Sequence, residues 1–237
     1  KQRELAQYLL EVGGASKELL LAKGFSRMVI KQVSEAKGIT IESRFKATKT
    51  TFTELLTEEV NIPLTQAQQA VYEPIQEAMN SHEHKTFLLH GVTGSGKTQL
   101  YLRATAKCIS QDKTAIILVP EIILTDQIVR RFVETFGDEV VVFHSKLTVQ
   151  QRNNNWERLR RKDSHIIIGA RSAVFAPAED IGLIVVDEEH DTSYKQEDMV
   201  RYHARNVALW RGEAHDCPVI LGSATPAITS YYKAKHG

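Results

Sequence analysis

Residues 91–98 read GVTGSGKT, and this octet decides the architecture of the chain. It fits the phosphate-loop pattern G-x-x-x-x-G-K-[ST], in which each fixed position has a mechanical duty. The glycines let backbone amides turn inward around phosphate oxygens, Lys97 reaches the β- and γ-phosphates, and the Thr98 hydroxyl ligates Mg²⁺. The flanks agree: the apolar run TFLLH at 86–90 reads as a strand, and residues 99–110 read as a helix. A glycine-rich surface turn would need neither flank. The octet therefore implies a bound nucleoside triphosphate, held by Gly91, Val92, Thr93, Gly94, Ser95, Gly96, Lys97 and Thr98.

Outward from the octet, short apolar runs recur at 86–90, 115–119, 140–143, 165–169, 183–187 and 219–222. Between them lie helical stretches over 97–110, 122–136, 147–161 and 203–213. The strands are apolar throughout rather than alternating, the pattern of a parallel sheet covered on both faces. Crossovers of this length imply right-handed βαβ units and an open, doubly wound α/β sheet. Such sheets bind ligands at the carboxyl ends of their strands, where the phosphate loop sits.

A second motif falls at such an end. LIVVDEEH at 183–190 is a four-residue apolar run leading into acids. There Asp187 can hold the Mg²⁺ shared with Thr98, and Glu188 can polarise a water that attacks the γ-phosphate. Phosphoryl transfer asks mainly for placement and charge neutralisation, so Lys97, Asp187 and Glu188 form a plausible catalytic minimum. Acids after a strand are otherwise most often a solvated loop; a phosphate loop upstream changes that reading. His190 completes the box, as a contact to a coupling motif or as a satisfied structural histidine.

The phosphate loop, Asp-Glu-x-His and the later Ser-Ala-Thr (223–225), in that order, resemble superfamily-two helicases of the DExH type. More narrowly, VPEI at 119–122, GARSA at 169–173, DEEHD at 187–191, SYKQ at 193–196, RYHAR at 201–205 and LGSATP at 221–226 resemble the bacterial primosomal helicases that restart stalled replication. The resemblance covers residues 64–237. It implies a RecA-like phosphate-loop NTPase lobe, the first of two, that hydrolyses ATP with Mg²⁺ while engaging single-stranded and forked DNA. It also implies primosome and single-strand-binding proteins as partners, a cytoplasmic setting, and zinc only in a cysteine-rich region beyond this chain.

Roles follow at matching positions. Gln68 matches a glutamine that reads the adenine edge, although it would serve equally as a helix-surface residue. Pro120, Glu121 and Thr125 match one segment near the DNA backbone, and Arg171 and Ser172 match another. Glu121 could instead cap the next helix, and Arg171 could be a structural cation. His144 and Ser145 form a further family-like loop. Ser223 and Thr225 match the motif that couples hydrolysis to movement. In the loop from 194 to 205, Tyr194, Lys195, Arg201, Tyr202, His203 and Arg205 crowd together just after the acids. Aromatic rings and guanidinium groups stack on unpaired bases at roughly 1–3 kcal/mol per base. This stretch resembles the aromatic-rich loop of the restart and RecQ helicases, except that Val200 stands where many relatives have tryptophan, which leaves stacking to the tyrosines.

The first 45 residues differ in texture. Apolar residues at helical spacing (Leu5, Tyr8, Leu9, Val12), a second short helix over 16–21, a third over 27–37 and an alternating stretch at 39–42 give the order of a winged helix. Such a module is a DNA reader or a structural, protein-contacting unit. Residues 46–63 read as a linker, so the expected organisation is 1–45, linker, and ATP-binding lobe 64–237.

Bulk properties are those of an ordinary soluble protein, 42% hydrophobic and 25% charged over 237 residues. A net charge of +1 does not by itself advertise a polyanion, so local patches must carry any DNA contact. Cys108 and Cys217 are too far apart for metal-ligand spacing and read as buried thiols of a reducing compartment. No apolar run approaches a membrane span. A phosphate-loop switch or small-molecule kinase is disfavoured by the missing Asn-Lys-x-Asp string and lid arginines. A decayed nucleotide site is disfavoured by the intact Lys97, Thr98, Asp187 and Glu188. The opening Lys1 suggests a piece of a longer protein. Without a second lobe's arginines, worth about 10³–10⁵ in rate, such a piece is expected to hydrolyse ATP poorly.

Overall fold

The computed structural model of the chain describes residues 2–12, 20, 23, 25–35, 60, 62–121, 127–145, 147–198 and 200–236. The chain divides into two compact units, 1–46 and 47–237. In the first, helices α1 (Gln2–Val12) and α2 (Arg27–Glu35) close over Leu5, Leu20, Ile30 and Val33. The Ser26 hydroxyl accepts the Val29 amide at 3.3 Å and so caps α2. Most of the short helix expected over 16–21, the strand expected at 39–42 and all but the end of the expected linker lie outside the described residues. So does Thr125.

The second unit is built on six parallel strands. They are β1 (Thr86–His90), β2 (Thr114–Leu118), β3 (Val140–Phe143), β4 (Ile166–Gly169), β5 (Ile181–Val186) and, later in the chain, β8 (Val219–Ser223). Their spatial order is β1-β8-β5-β2-β4-β3, and every neighbouring pair is parallel. The wholly apolar strands serve two cores at once, because successive side chains point to opposite faces. Ala115, Ile117 and Val119 enter one cluster with Leu100, Leu102 and Phe132, while Ile116 and Leu118 enter the other with Leu159, Ala204 and Ala208. This is the doubly wound sheet expected from the sequence.

Helix α3 (Gln66–Ser81) precedes β1. It opens with a reciprocal cap: Gln68 N–H donates to Thr65 Oγ1 at 3.3 Å, and Thr65 N–H donates to Gln68 Oε1 at 3.0 Å. The phosphate loop leads into α4 (Lys97–Ser110). Val60, within the expected linker, is buried in the lobe's core, and its carbonyl accepts Arg103 Nη2 at 3.0 Å. Helices α5 (Gln127–Phe136), α6 (Val149–Arg160), α7 (Ala204–Ala214) and α8 (Ile228–His236) complete the layers. A two-residue hairpin, β6 (Lys195–Gln196) against β7 (Tyr202–His203), stands apart from the main sheet. Among the described residues no helix is long and apolar enough to cross a membrane. Cys108 and Cys217 are buried free thiols; burial lifts Cys217 to about 12 and Cys108 higher still.

One buried ion pair fastens the carboxyl edge of the sheet to the last two helices. Glu189 is fully buried; its Oε2 accepts Arg205 Nη1 at 2.5 Å and Ser230 Oγ at 2.9 Å, while its Oε1 accepts the Ala227 amide at 2.7 Å. Removing one partner of such a pair leaves an uncompensated charge in low dielectric. Arg205→Met is expected to cost about 3–5 kcal/mol in urea unfolding. Lys162→Met, which breaks the exposed Lys162–Asp180 pair, is expected to leave the urea midpoint close to that of the wild type, because water screens the pair.

His165, just ahead of β4, places Nδ1 2.8 Å from Glu139 Oε2. The hydrogen bond with Glu139 raises the His165 pKa; burial and Lys162 oppose it, while the charges of Glu139 and Asp112 add to it. A raised folded value means that the stabilisation is fully present below the unfolded histidine value of about 6.5 and is lost as pH rises through the folded one. The stability difference between the wild type and His165→Gln should therefore be larger at pH 5.5 than at pH 8.5, as read by chemical denaturation at both.

Candidate functional site

The parallel register brings the motifs to one edge. His90, the last residue of β1, lies opposite Ser223, and Leu118 lies opposite both Gly169 and Val186. The segments beginning at Gly91, Val119, Ala170 and Asp187, together with the end of β8, thus leave the sheet side by side. Gly91 N–H donates to the Ser223 carbonyl at 3.1 Å, and Asp187 N–H to that of Leu118 at 2.9 Å.

The phosphate loop turns through left-handed backbone at Gly94 (φ 82°) and Gly96 (φ 89°). At Gly96 the left-handed backbone disfavours any side chain, and a Cβ would also displace the Gln68 amide that lies 2.1 Å away. The loop delivers the amino end of α4, whose free amides and dipole favour an anion. Lys97 Nζ turns back to the Gly91 carbonyl at 2.6 Å, and Thr98 occupies the first turn half-buried. Gln68 lies against this loop, donating from Nε2 to the Ser95 carbonyl at 3.2 Å while its Oε1 serves the α3 cap.

Past β5 the backbone turns at Glu188, a non-glycine residue at φ 44°. Left-handed backbone in such a residue is a strain that tends to accompany functional sites. The turn separates the acids: Glu188 stays partly open, whereas Glu189 enters the ion pair with Arg205. Asp187 is held three ways. Its Oδ1 accepts Tyr101 Oη at 3.0 Å, its carbonyl accepts Tyr194 Oη at 2.6 Å, and its amide is bound in the sheet. Burial lifts the Asp187 carboxyl above the ordinary aspartate range, the Tyr101 hydrogen bond opposes this, Glu188 pushes it further up, and Lys97 draws it down. Burial also keeps both tyrosines far above the usual phenol value, so both remain donors.

These groups fit Mg²⁺, an ion that keeps several waters and takes one or two hard oxygen ligands plus phosphates. Asp187 and Thr98 would supply them. Among the described residues no three His, Cys, Asp or Glu side chains gather as a metal site, so protein ligands alone would not encage an ion.

His190 joins the acid box to the Ser-Ala-Thr segment with both ring nitrogens. Nδ1 is 2.7 Å from Ser223 Oγ and 3.6 Å from Glu188 Oε2, and Nε2 is 3.3 Å from Thr225 Oγ1. Both ring nitrogens are thus satisfied by residues of the Ser-Ala-Thr segment, an arrangement that fits either reading of this histidine.

The expected DNA-contact residues fall into two groups. Glu121, Ser172, Lys195 and Arg201 are exposed, as is Thr225 of the expected coupling segment, and Tyr202 and His203 are half-buried around an open pocket of about 520 Å³ lined also by Gln196 and Glu197. The others face inward. Pro120 is buried. Tyr194 is fully buried with its hydroxyl on Asp187, so it does not present a stacking face. Arg205 is bound to Glu189. Arg171 donates to the carbonyls of Ser193 at 3.3 Å and Lys195 at 2.6 Å, splinting the loop after the acids from beneath. Two positions expected to contact DNA, Tyr194 and Arg205, are thus internal struts. Tyr202 meets exposed Phe175 edge-on at 5.0 Å, an aromatic that the sequence patterns did not mark. Tyr101 was likewise unmarked, and Glu189 and Gly222, though inside the motif strings, carried no role of their own; each acts through a long-range partner that no local spacing encodes.

Comparison with known proteins bears on the family and the fold. The model of the family described as DEAD/DEAH box helicase matches residues 65–233. The chain is 54% identical over 176 residues to the replication restart protein PriA of Bacillus subtilis, covering 74% of this chain and 22% of that one. Against the same-named protein of Chlamydia pneumoniae it is 46% identical over 171 residues, covering 72% and 23%. The chain thus spans less than a quarter of the length of these relatives. Among solved structures, RecG bound to a three-way DNA junction superposes with a TM-score of 0.56 at 24% identity over 78% of this chain and 24% of that one. The helicase MrfA gives 0.53 at 18%, over 78% and 30%, and both bear out the fold. The kinship read from the motif strings is borne out, and the chain belongs to the DEAD/DEAH box helicase family.

Proposed function

We propose that this chain is the first ATP-binding lobe of a DNA helicase that acts in replication restart, hydrolysing ATP in step with single-stranded DNA. The observation that carries the reading is the junction of Tyr101 with Asp187. It ties the helix that bears Lys97 and Thr98 to the acid box, and the Lys97 charge is felt at Asp187. This junction supports reading the phosphate loop and the acid box as two halves of one triphosphate site.

In this reading the loop amides and Lys97 bind the β- and γ-phosphates, and Thr98 and Asp187 are the metal ligands. Held there by Thr98 and Asp187, Mg²⁺ would supply charge neutralisation at the phosphates. Glu188 orients the attacking water and accepts its proton. Gln68, already beside the loop, reads the adenine edge by exchanging its cap and loop partners for the base. His190, Ser223 and Thr225 pass the state of Glu188 to the Ser-Ala-Thr segment. DNA runs across the exposed group Glu121, Ser172, Lys195 and Arg201, with Thr125 added from outside the described residues. Tyr202 and Phe175 offer aromatic faces to bases. Forked DNA, primosome and single-strand-binding proteins, and a cytoplasmic setting follow from the likeness to PriA. The amino-terminal unit is assigned as a winged helix on its helix pair and element order.

The test is nucleotide binding and DNA-stimulated turnover by the purified protein. Glu188→Gln should bind ATP as the wild type does yet lose about 10²–10⁴-fold in turnover. Lys97→Ala should lose binding and turnover together. Preference for guanine nucleotides, or turnover indifferent to both single-stranded DNA and Glu188→Gln, would sink the reading.

A further inference from the structure

Tyr101 has no duty in the phosphate loop or the acid box, yet it is fully buried between them. It lies one turn beyond Lys97 on α4, and its hydroxyl donates to Asp187 Oδ1 at 3.0 Å. A phenylalanine would fill the same core volume. The hydroxyl therefore needs its own explanation, and a second residue supplies it. Gly222 interrupts β8, where glycine weakens a strand and marks a close approach. A Cβ there would fall 1.7 Å from Tyr101 Oη and 3.3 Å from Asp187 Oδ1. The strand gives up a side chain in the place that lets the hydroxyl reach the carboxylate. Gly222 also accepts the Glu189 amide at 3.0 Å and immediately precedes Ser223, so the same spot joins α4, the acid box and the Ser-Ala-Thr segment.

We infer that Tyr101 is a positioning residue for the metal-holding carboxylate, a strut that sets Asp187 at a fixed distance from the phosphate-loop helix, with Gly222 as the space that admits it. With Oδ1 engaged by Tyr101, the orientation of the carboxylate toward a cation or its water would be set from α4. Partners that orient a metal ligand in this way typically govern metal affinity by about 10–100-fold. Because α4 carries both Tyr101 and the phosphate-binding residues, a shift of its amino end on loading reaches Asp187 directly. The inference rests on the nucleotide-site reading above and goes further, assigning a role to a residue outside the motifs.

The experiment measures the affinity of the purified protein for a fluorescent ADP across a Mg²⁺ titration and in EDTA. Tyr101→Phe keeps the ring and removes only the hydroxyl. The expected result is a Mg²⁺ midpoint raised about 10–100-fold, with affinity in EDTA unchanged. Gly222→Ala, which displaces the hydroxyl without deleting it, should raise the midpoint likewise. An unchanged midpoint in Tyr101→Phe overturns the inference. So does a loss of affinity that is equal with and without Mg²⁺, because that marks general damage to the core. If wild-type binding is itself indifferent to Mg²⁺, the nucleotide-site reading fails and takes this inference with it. Metal dependence in the wild type with none of the variant effect removes the inference alone.

Discussion

Parallel strand register is the constraint on which everything else in this lobe depends. The phosphate loop, the acid box and the Ser-Ala-Thr segment lie far apart in the chain, and none could approach another without the sheet. Pairing of β1 with β8 puts His90 against Ser223, and pairing of β5 with β8 puts Val186 against Leu221. Because side chains alternate faces along a strand, a slip of one residue would exchange the two cores and carry Asp187 away from Tyr101. The apolar cost of such an exchange, spread over strands buried on both sides, keeps the polar edge in place. Site geometry here is a by-product of core packing.

The acid box shows how finely a backbone turn can sort identical side chains. Glu188 and Glu189 are neighbours of the same chemistry, yet one is partly open beside His190 and the other is sealed against Arg205. The left-handed residue between strand and turn makes the difference, since it sends consecutive side chains in unrelated directions. An unpaired carboxylate at the position of Glu189 would be costly to bury, whereas a paired one at the position of Glu188 would not be available to water. A sealed acid and a solvent-reachable one thus occupy adjacent positions.

The sequence made some of this visible and hid the rest for physical reasons. The strands of the sheet are legible because burial on two faces demands unbroken apolar runs, and only their ends shifted, as where 183–187 became Ile181–Val186. The phosphate loop is legible because its chemistry is local, within eight residues. Helix α3 is faint in the sequence beyond the neighbourhood of Gln68, because its surface is polar and Pro74 sits inside it. The hairpin β6–β7 is too short to show any period. Arg205 and Tyr194 looked like nucleic-acid contacts because composition near an active site cannot reveal which side chain turns inward. Their partners, Glu189 and the Asp187 carbonyl, become apparent only when the chain is folded. His190 had two readings, and its contact with Ser223 is compatible with both.

The two thiols have a practical bearing that their burial creates. Cys108 and Cys217 make up the cysteine content of the chain, both are sealed in the core, and burial holds both well above the range in which a thiolate forms near neutrality. Alkylating reagents require that thiolate. A single cysteine introduced at exposed Val200, on the rim of the β6–β7 hairpin, would be the one nucleophilic sulfur in reach, so a spectroscopic reporter can be attached there without first stripping the native pair.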